Sequence, residues 1–180
     1  KVQDLKPDAL YVMLPSGPGA SFLKEYAARG LAKKGIPLIA HGAVTDDDYL
    51  NEAGNETLGI ITSDYYSAAH PSAMNKKFVA DFKKISNGKR PNFFGVAGYD
   101  GMHVIYNAIK NATDANNGDA LLAAMKGQSF ESPRGPVTLD PNTRDFIQNV
   151  YVRKVERVDG QLYNVEFDTI EHVLNTGKTN

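Results

Sequence analysis

A chain of 180 residues with 42% hydrophobic and 23% charged side chains has the mix of a globular protein and the length for one sizeable core or two small lobes. Its net charge of −1, with Lys and Arg spread along the sequence, excludes the single-signed field that draws in nucleic acid or an acidic membrane surface. The absence of cysteine excludes disulfides, thiolate catalysis and thiolate metal sites.

The N-terminus, Lys1 to Leu5, lacks the apolar stretch of a signal peptide, and no apolar run approaches the roughly 20 residues of a membrane span. Residues 8–14 (DALYVML) form a short apolar run of the kind buried in a parallel sheet. The loop 15–19 leads into a helix over 20–31, with Phe22, Leu23, Tyr26, Ala27 and Leu31 at helical spacing. A second strand is predicted at 37–40 and a third at 58–63. Between them Thr45 is placed as the N-cap of a short helix, with Asp46, Asp47 and Asp48 in its first turn. Strand, helix, strand, helix, strand with short loops is the pattern of a parallel α/β sheet.

The middle reads as three helices without a strand. The first ends near Ile85 and shows an apolar face of Met74, Phe78, Phe82 and Ile85. Basic residues close it, as the macrodipole favours. The second begins near Val96 and carries Met102, Val104, Ile105, Ala108 and Ile109. The third covers 119–125. Strands return at 135–139, at 148–157 with Val150, Val152 and Val155 prominent, and at 161–167. Asp159-Gly160 signals the hairpin between the last two.

Ligands of open α/β sheets sit beyond the C-terminal strand ends. The first such loop holds Ser16 and Gly17. Its glycines let a ligand approach the backbone, and the next helix offers free N–H groups; a plain strand-to-helix turn accounts for it equally. It is not a dinucleotide fingerprint, because position 22 is Phe rather than Gly. The second loop starts at His41 and Gly42. His41 either hydrogen-bonds a ligand or is structural. The four His stand singly, Asp46 to Asp48 lack the alternation of a Ca²⁺ loop, and no catalytic motif is present. No cofactor or metal is expected.

Four stretches together resemble the type I periplasmic solute-binding proteins of the branched-chain amino acid (Leu/Ile/Val) ABC transporter family. They are Lys6-Pro7-Asp8-Ala9 with Phe22-Leu23-Lys24 and Ala28 to Leu31; Gly59 to Thr62 with Asp64-Tyr65-Tyr66; Ala97-Gly98-Tyr99-Asp100-Gly101; and Phe130 to Val137 with Leu139-Asp140 and Gln148. The resemblance implies an α/β fold of two Rossmann-like lobes joined by three crossovers, with the ligand in the cleft between them. Only its C-terminal half aligns, so the chain is expected to be an incomplete C-terminal portion. Residues 1–64 and 136–180 would belong to lobe 2, and 65–135 would be a helical portion of lobe 1.

The same resemblance implies an extracytoplasmic receptor without enzyme activity, working with an ABC permease in the membrane. The exposed surfaces of a half structure would pair with the missing N-terminal half or with a second copy. In amino-acid-binding members an acid that meets the ligand ammonium aligns with Gly42, so a small organic acid such as an aromatic carboxylate fits better here. The ligand-contacting ring of the family aligns with Phe94, beside Tyr99, and Tyr65 falls at a lobe crossover. The alternatives are a sensory ligand-binding domain of the same fold, marked by a neighbouring membrane or signalling segment, and a flavodoxin-like enzyme, marked by phosphate-site glycines.

Overall fold

In the computed structural model the described residues are 1–175 and 177, and the Ser16 side chain lies outside them. The chain runs α1 (Val2–Leu5), β1 (Leu10–Val12), α2 (Ser16–Ala28), β2 (Leu38–His41), a 3-10 turn (Gly42–Thr45), α3 (Leu50–Ala53) and β3 (Ile61–Asp64). Three helices follow: α4 (Ala73–Ile85), α5 (Phe93–Asn111) and α6 (Gly118–Met125). The chain closes with β4 (Ser129–Ser132), β5 (Gly135–Leu139), β6 (Phe146–Val158) and β7 (Gln161–Val173).

β1, β2 and β3 pair in parallel, as their short apolar runs predict. The row Val12, Ala40 and Thr62 is buried. It belongs to a core with Leu23, Tyr26, Leu31, Leu38 and Val155. Tyr26 donates its hydroxyl to the Ile36 carbonyl at 2.7 Å, which fixes the end of α2 against the sheet. The alternate row Tyr11 and Ile39 is exposed, at 64% and 45%.

β6 joins the two ends of the molecule. Its residues 151–154 pair antiparallel with β3, and its residues 146–148 pair with β5. β7 follows it along nearly its whole length, across a register shift between Val152 and Arg153. The hairpin turn at Asp159 and Gly160 has φ of 47° and 80°, the left-handed pair that a two-residue turn requires.

Three sequence expectations differ from the structure. The middle section does contain a strand, β4, which hydrogen-bonds with β5. Thr45 caps no helix: it ends the 3-10 turn, buried, and donates to Asn164 Oδ1 at 2.9 Å. Tyr49 precedes α3 instead. The inward face of α4 is only part of the apolar stripe. Phe78 and Phe82 pack on Tyr66, Tyr99 and Gly95, but Asn75 is the buried residue and Ile85 is 84% exposed. Asn75 is drawn inward because its amide donates to His70 O at 2.9 Å and its Oδ1 accepts from the Tyr66 hydroxyl at 3.0 Å. No described helix is long and apolar enough to cross a membrane.

Candidate functional site

The C-terminal ends of β2 and β3 lie side by side, with His41 in register with Ser63 and Asp64 one residue further on. The 3-10 turn after β2 packs on the start of α2. A Cβ added to Gly19 would come within 3.1 Å of Val44 Cα, so the turn and the loop 15–19 approach each other as glycine allows. Gly17 stands nearby in open space. Ser16 opens α2, and its side chain lies outside the described residues.

Gly42 is constrained far more tightly. A Cβ there would lie 2.6 Å from Asp64 Cβ, and closer still to Asp64 Oδ2 and Arg153 Nη2. The volume of a side chain at 42 is thus already taken by two buried, charged groups. Arg153 Nη2 stands 3.9 Å from Asp64 Oδ2 and donates to Thr62 Oγ1 at 3.1 Å, while Nη1 donates to the Tyr66 carbonyl. Asp64 Oδ1 accepts from the Tyr65 N–H at 2.7 Å. Asp64 Oδ2 and Arg153 Nε are buried without a hydrogen-bond partner among the described residues. Burial raises the Asp64 carboxyl above its usual range, against the opposing pull of Arg153.

Aromatic rings stand over these strand ends. Phe93, the first residue of α5, meets His41 edge-on at 6.3 Å and Tyr65 edge-on at 6.2 Å. The Tyr65 hydroxyl donates to the Phe93 carbonyl at 3.0 Å, and burial next to Asp64 pushes its pKa up to about 12. Tyr65 also lies against the Arg134 guanidinium, 4.8 Å from its centre. Asn92 caps α5 through Gly95 N and holds the helix to the acidic loop by donating to Asp46 Oδ2 at 3.3 Å.

The structure brings His41, Gly42 and Tyr65 of the expected residues together. Phe94 lies at the edge of this group, 70% exposed, with its ring 4.1 Å from Phe93. Tyr99 is further along α5 and packs on Phe78 of α4 at 5.1 Å. Sequence reasoning missed Phe93, Asp64 and Arg153. A signal for Arg153 existed, since it falls at a spacing of two between Tyr151 and Val155. All three are buried, so this face of β6 points inward, not the face of Val150 and Val152.

Beneath the site a polar cluster ties the crossover to the hairpin. Asp47 accepts from Ala68 N at 3.0 Å and from Asn164 Nδ2 at 3.1 Å, and Ser67 donates to Asn164 O at 2.5 Å. Burial raises the Asp47 carboxyl above its ordinary value, so the folded chain holds this proton more tightly than the unfolded chain. Its contribution to stability is therefore full below the unfolded value of 3.8 and is lost as pH rises through the raised one. Asp47→Asn removes that titration. The stability of the wild type relative to the variant is expected to fall as pH rises above about 4 in paired urea melts. A difference that stays constant over that range would show that burial does not control the Asp47 proton.

The sequence pattern described as periplasmic binding protein matches residues 1–161. The chain is 38% identical over 174 residues to the Leu/Ile/Val-binding protein homolog 6 of Brucella abortus, covering 95% of this chain and 45% of that protein. It resembles the solute-binding protein of an ABC transporter from Rhodopseudomonas palustris BisB5, solved in complex with 3,4-dihydroxybenzoic acid. The TM-score is 0.92 and the identity 54%, over 99% of this chain and 49% of that one. A solute-binding protein from R. palustris HaA2, in complex with p-hydroxybenzoic acid, aligns at TM-score 0.90 and 36% identity over 98% of this chain and 48% of that one. All three are binding proteins by name, in line with the expected absence of catalysis, and the chain spans about half the length of each.

Proposed function

The chain belongs to the periplasmic binding protein family, and we propose that it is the C-terminal part of an extracytoplasmic ABC-importer receptor that holds an aromatic carboxylate in a cleft between two lobes. Gly42 carries this reading. The acid that would meet an ammonium has no room at this position, because Asp64 and Arg153 fill it. The 54% identity to a protein solved with 3,4-dihydroxybenzoic acid supports a ring acid over an aliphatic amino acid. Phe93 and Tyr65 offer the aromatic surface on which a ring packs.

On this reading β1 to β3 and the far half of the β6–β7 hairpin form lobe 2. Helices α4 to α6 belong to lobe 1. β4 pairs with β5, and β5 with the near half of the hairpin, which argues for counting residues 136–150 on the lobe 1 side. Closure about the crossovers would present the loaded form to a membrane permease. The exposed apolar rows Tyr11 and Ile39 on the sheet, and Met102, Ile105, Tyr106 and Ile109 on α5, support pairing with an N-terminal half such as the longer relatives carry.

A thermal-shift screen of the 180-residue chain tests the ligand class. Benzoate-type acids are expected to raise the melting temperature selectively, by several degrees at about a hundredfold excess over Kd. Stabilisation by leucine or valine and not by the ring acids would overturn the assignment and place the ammonium at Asp64.

A further inference from the structure

We propose that Arg153 is a two-position switch: in this conformation it holds the Tyr66 carbonyl at the start of the link 65–72, and in a second conformation it turns to Asp64 and releases that carbonyl. The inference concerns the equilibrium of the chain itself and is independent of the ligand class proposed above.

The buried groups around Arg153 leave one pair of partners unused. Arg153 Nη1 donates to the Tyr66 carbonyl and Nη2 to Thr62 Oγ1 at 3.1 Å, while Nε has no acceptor among the described residues. Asp64 Oδ1 accepts from the Tyr65 N–H at 2.7 Å, while Oδ2 has no donor among them. A charged donor and a charged acceptor of opposite sign thus stay unsatisfied in the interior, with Arg153 Nη2 and Asp64 Oδ2 only 3.9 Å apart. Leaving such groups unmade costs more than an ordinary hydrogen bond gains, so an arrangement that joins them lies close in energy to this one. Asp47, another acid that feels the Arg153 charge, does not compete, because its oxygens already take the Ala68 N–H and Asn164 Nδ2.

The space for the move is present. A Cβ at Gly42 would fall between Asp64 Oδ2 and Arg153 Nη2, so glycine leaves open the line along which the two groups close. A shift of about 1 Å brings them from 3.9 Å to the length of a charge-assisted hydrogen bond. Arg153 also stands at the irregular part of β6, where the register against β7 shifts between Val152 and Arg153. Such irregularities re-aim a side chain where a regular ladder would hold it.

The two arrangements differ in what they do to the link. When Nε and Nη2 face Asp64 together, Nη1 leaves the Tyr66 carbonyl. Tyr66 carries the change to α4, because its hydroxyl donates to Asn75 Oδ1 at 3.0 Å. On the two-lobe reading this link is a crossover, and the switch then sets how freely the lobes close; that bearing alone rests on the proposal above.

The test is NMR of the ligand-free 180-residue chain, following the Ser67 N–H, which shares its peptide unit with the Tyr66 carbonyl, and the Arg153 Nε proton. Thr62→Val removes the acceptor that holds Nη2 here. It is expected to move the balance toward Asp64 by about two- to tenfold, the weight of one net hydrogen bond. Asp64→Asn removes the charge to which Arg153 turns and is expected to move the balance the other way. The Ser67 resonance is therefore expected to shift in opposite directions in the two variants, and the Arg153 Nε proton to exchange more slowly with solvent in Thr62→Val. Asp64→Asn can fail to fold because Arg153 loses its facing charge; Thr62→Val, which keeps both charges, then decides alone through the two signals. A Ser67 resonance that stays in place in Thr62→Val, or moves the same way in both variants, would overturn the switch, as would an Nε proton whose exchange is unchanged. No ligand takes part, so that result leaves the ring-acid reading standing, and failure of the ring acids to bind leaves the switch standing.

Discussion

Replacing Asp100 by alanine is expected to lower the unfolding free energy by about 3–5 kcal/mol, the range for stranding a buried charge. Asp100 sits on α5 with no exposed surface. Its Oδ2 accepts from Arg134 Nε at 2.6 Å and its Oδ1 from Ser132 Oγ at 2.7 Å. Arg134 is itself 3% exposed, bonded to Gln148 and lying against the rings of Tyr65 and Phe146. Without the carboxylate its guanidinium has lost its counter-charge and cannot reach water. For a chain of this length the loss corresponds to a fall in Tm of roughly 10 °C. The double variant Asp100→Leu/Arg134→Met is expected to recover much of it, because an apolar pair of similar volume removes the stranded charge. A drop of less than about 3 °C for Asp100→Ala, read by calorimetry, would mean that water reaches the pair.

Gly42→Ala is expected to cost about 2–4 kcal/mol, the upper end of what overpacking a buried site costs. The new Cβ would press on Asp64 Cβ at 2.6 Å, which is anchored to its strand and cannot swing aside. The flexible ends of Asp64 and Arg153 would have to part, and both are buried. The cost is one of volume and of a separated ion pair, since Gly42 has no left-handed φ to lose. Gly42→Glu is expected to destabilise at least as much and to confer no affinity for leucine. Urea melts of both variants, with leucine titrated into the second, check the two claims. A stable Gly42→Glu that binds leucine would show that the acid has room after all.

The sequence revealed the elements that depend on local pattern. The three parallel strands, the helices near 73–85 and 93–111, and the Asp159-Gly160 turn follow from apolar runs, helical spacing and turn chemistry. Less visible was whatever depends on residues far apart in the chain. Asp64 and Arg153 meet because β3 pairs with β6, a register no short motif encodes. Thr45 and Asp47 read as helix-start residues, yet Asn164 draws both inward from 117 or more positions away. The stripe on α4 is covered only at Phe78 and Phe82, because periodicity identifies an apolar face without saying what covers it. At the candidate site, the loop residues His41 and Gly42 stand out in the sequence because strand ends are where ligands of such sheets bind. Their charged neighbours were missed because polar residues in strands are ordinarily assigned to solvent.

The pairing of β3 with β6 also orders events in time. β1, β2 and β3 precede the antiparallel neighbour of β3, which starts some eighty residues later in the chain, at Phe146. Until then the edge of β3 offers unpaired N–H and C=O groups to any passing strand. The β6–β7 hairpin, closed by a two-residue turn, needs only microseconds once both strands have emerged. The pairing that completes the sheet thus joins segments far apart in the chain, which makes it slow beside the closing of the hairpin.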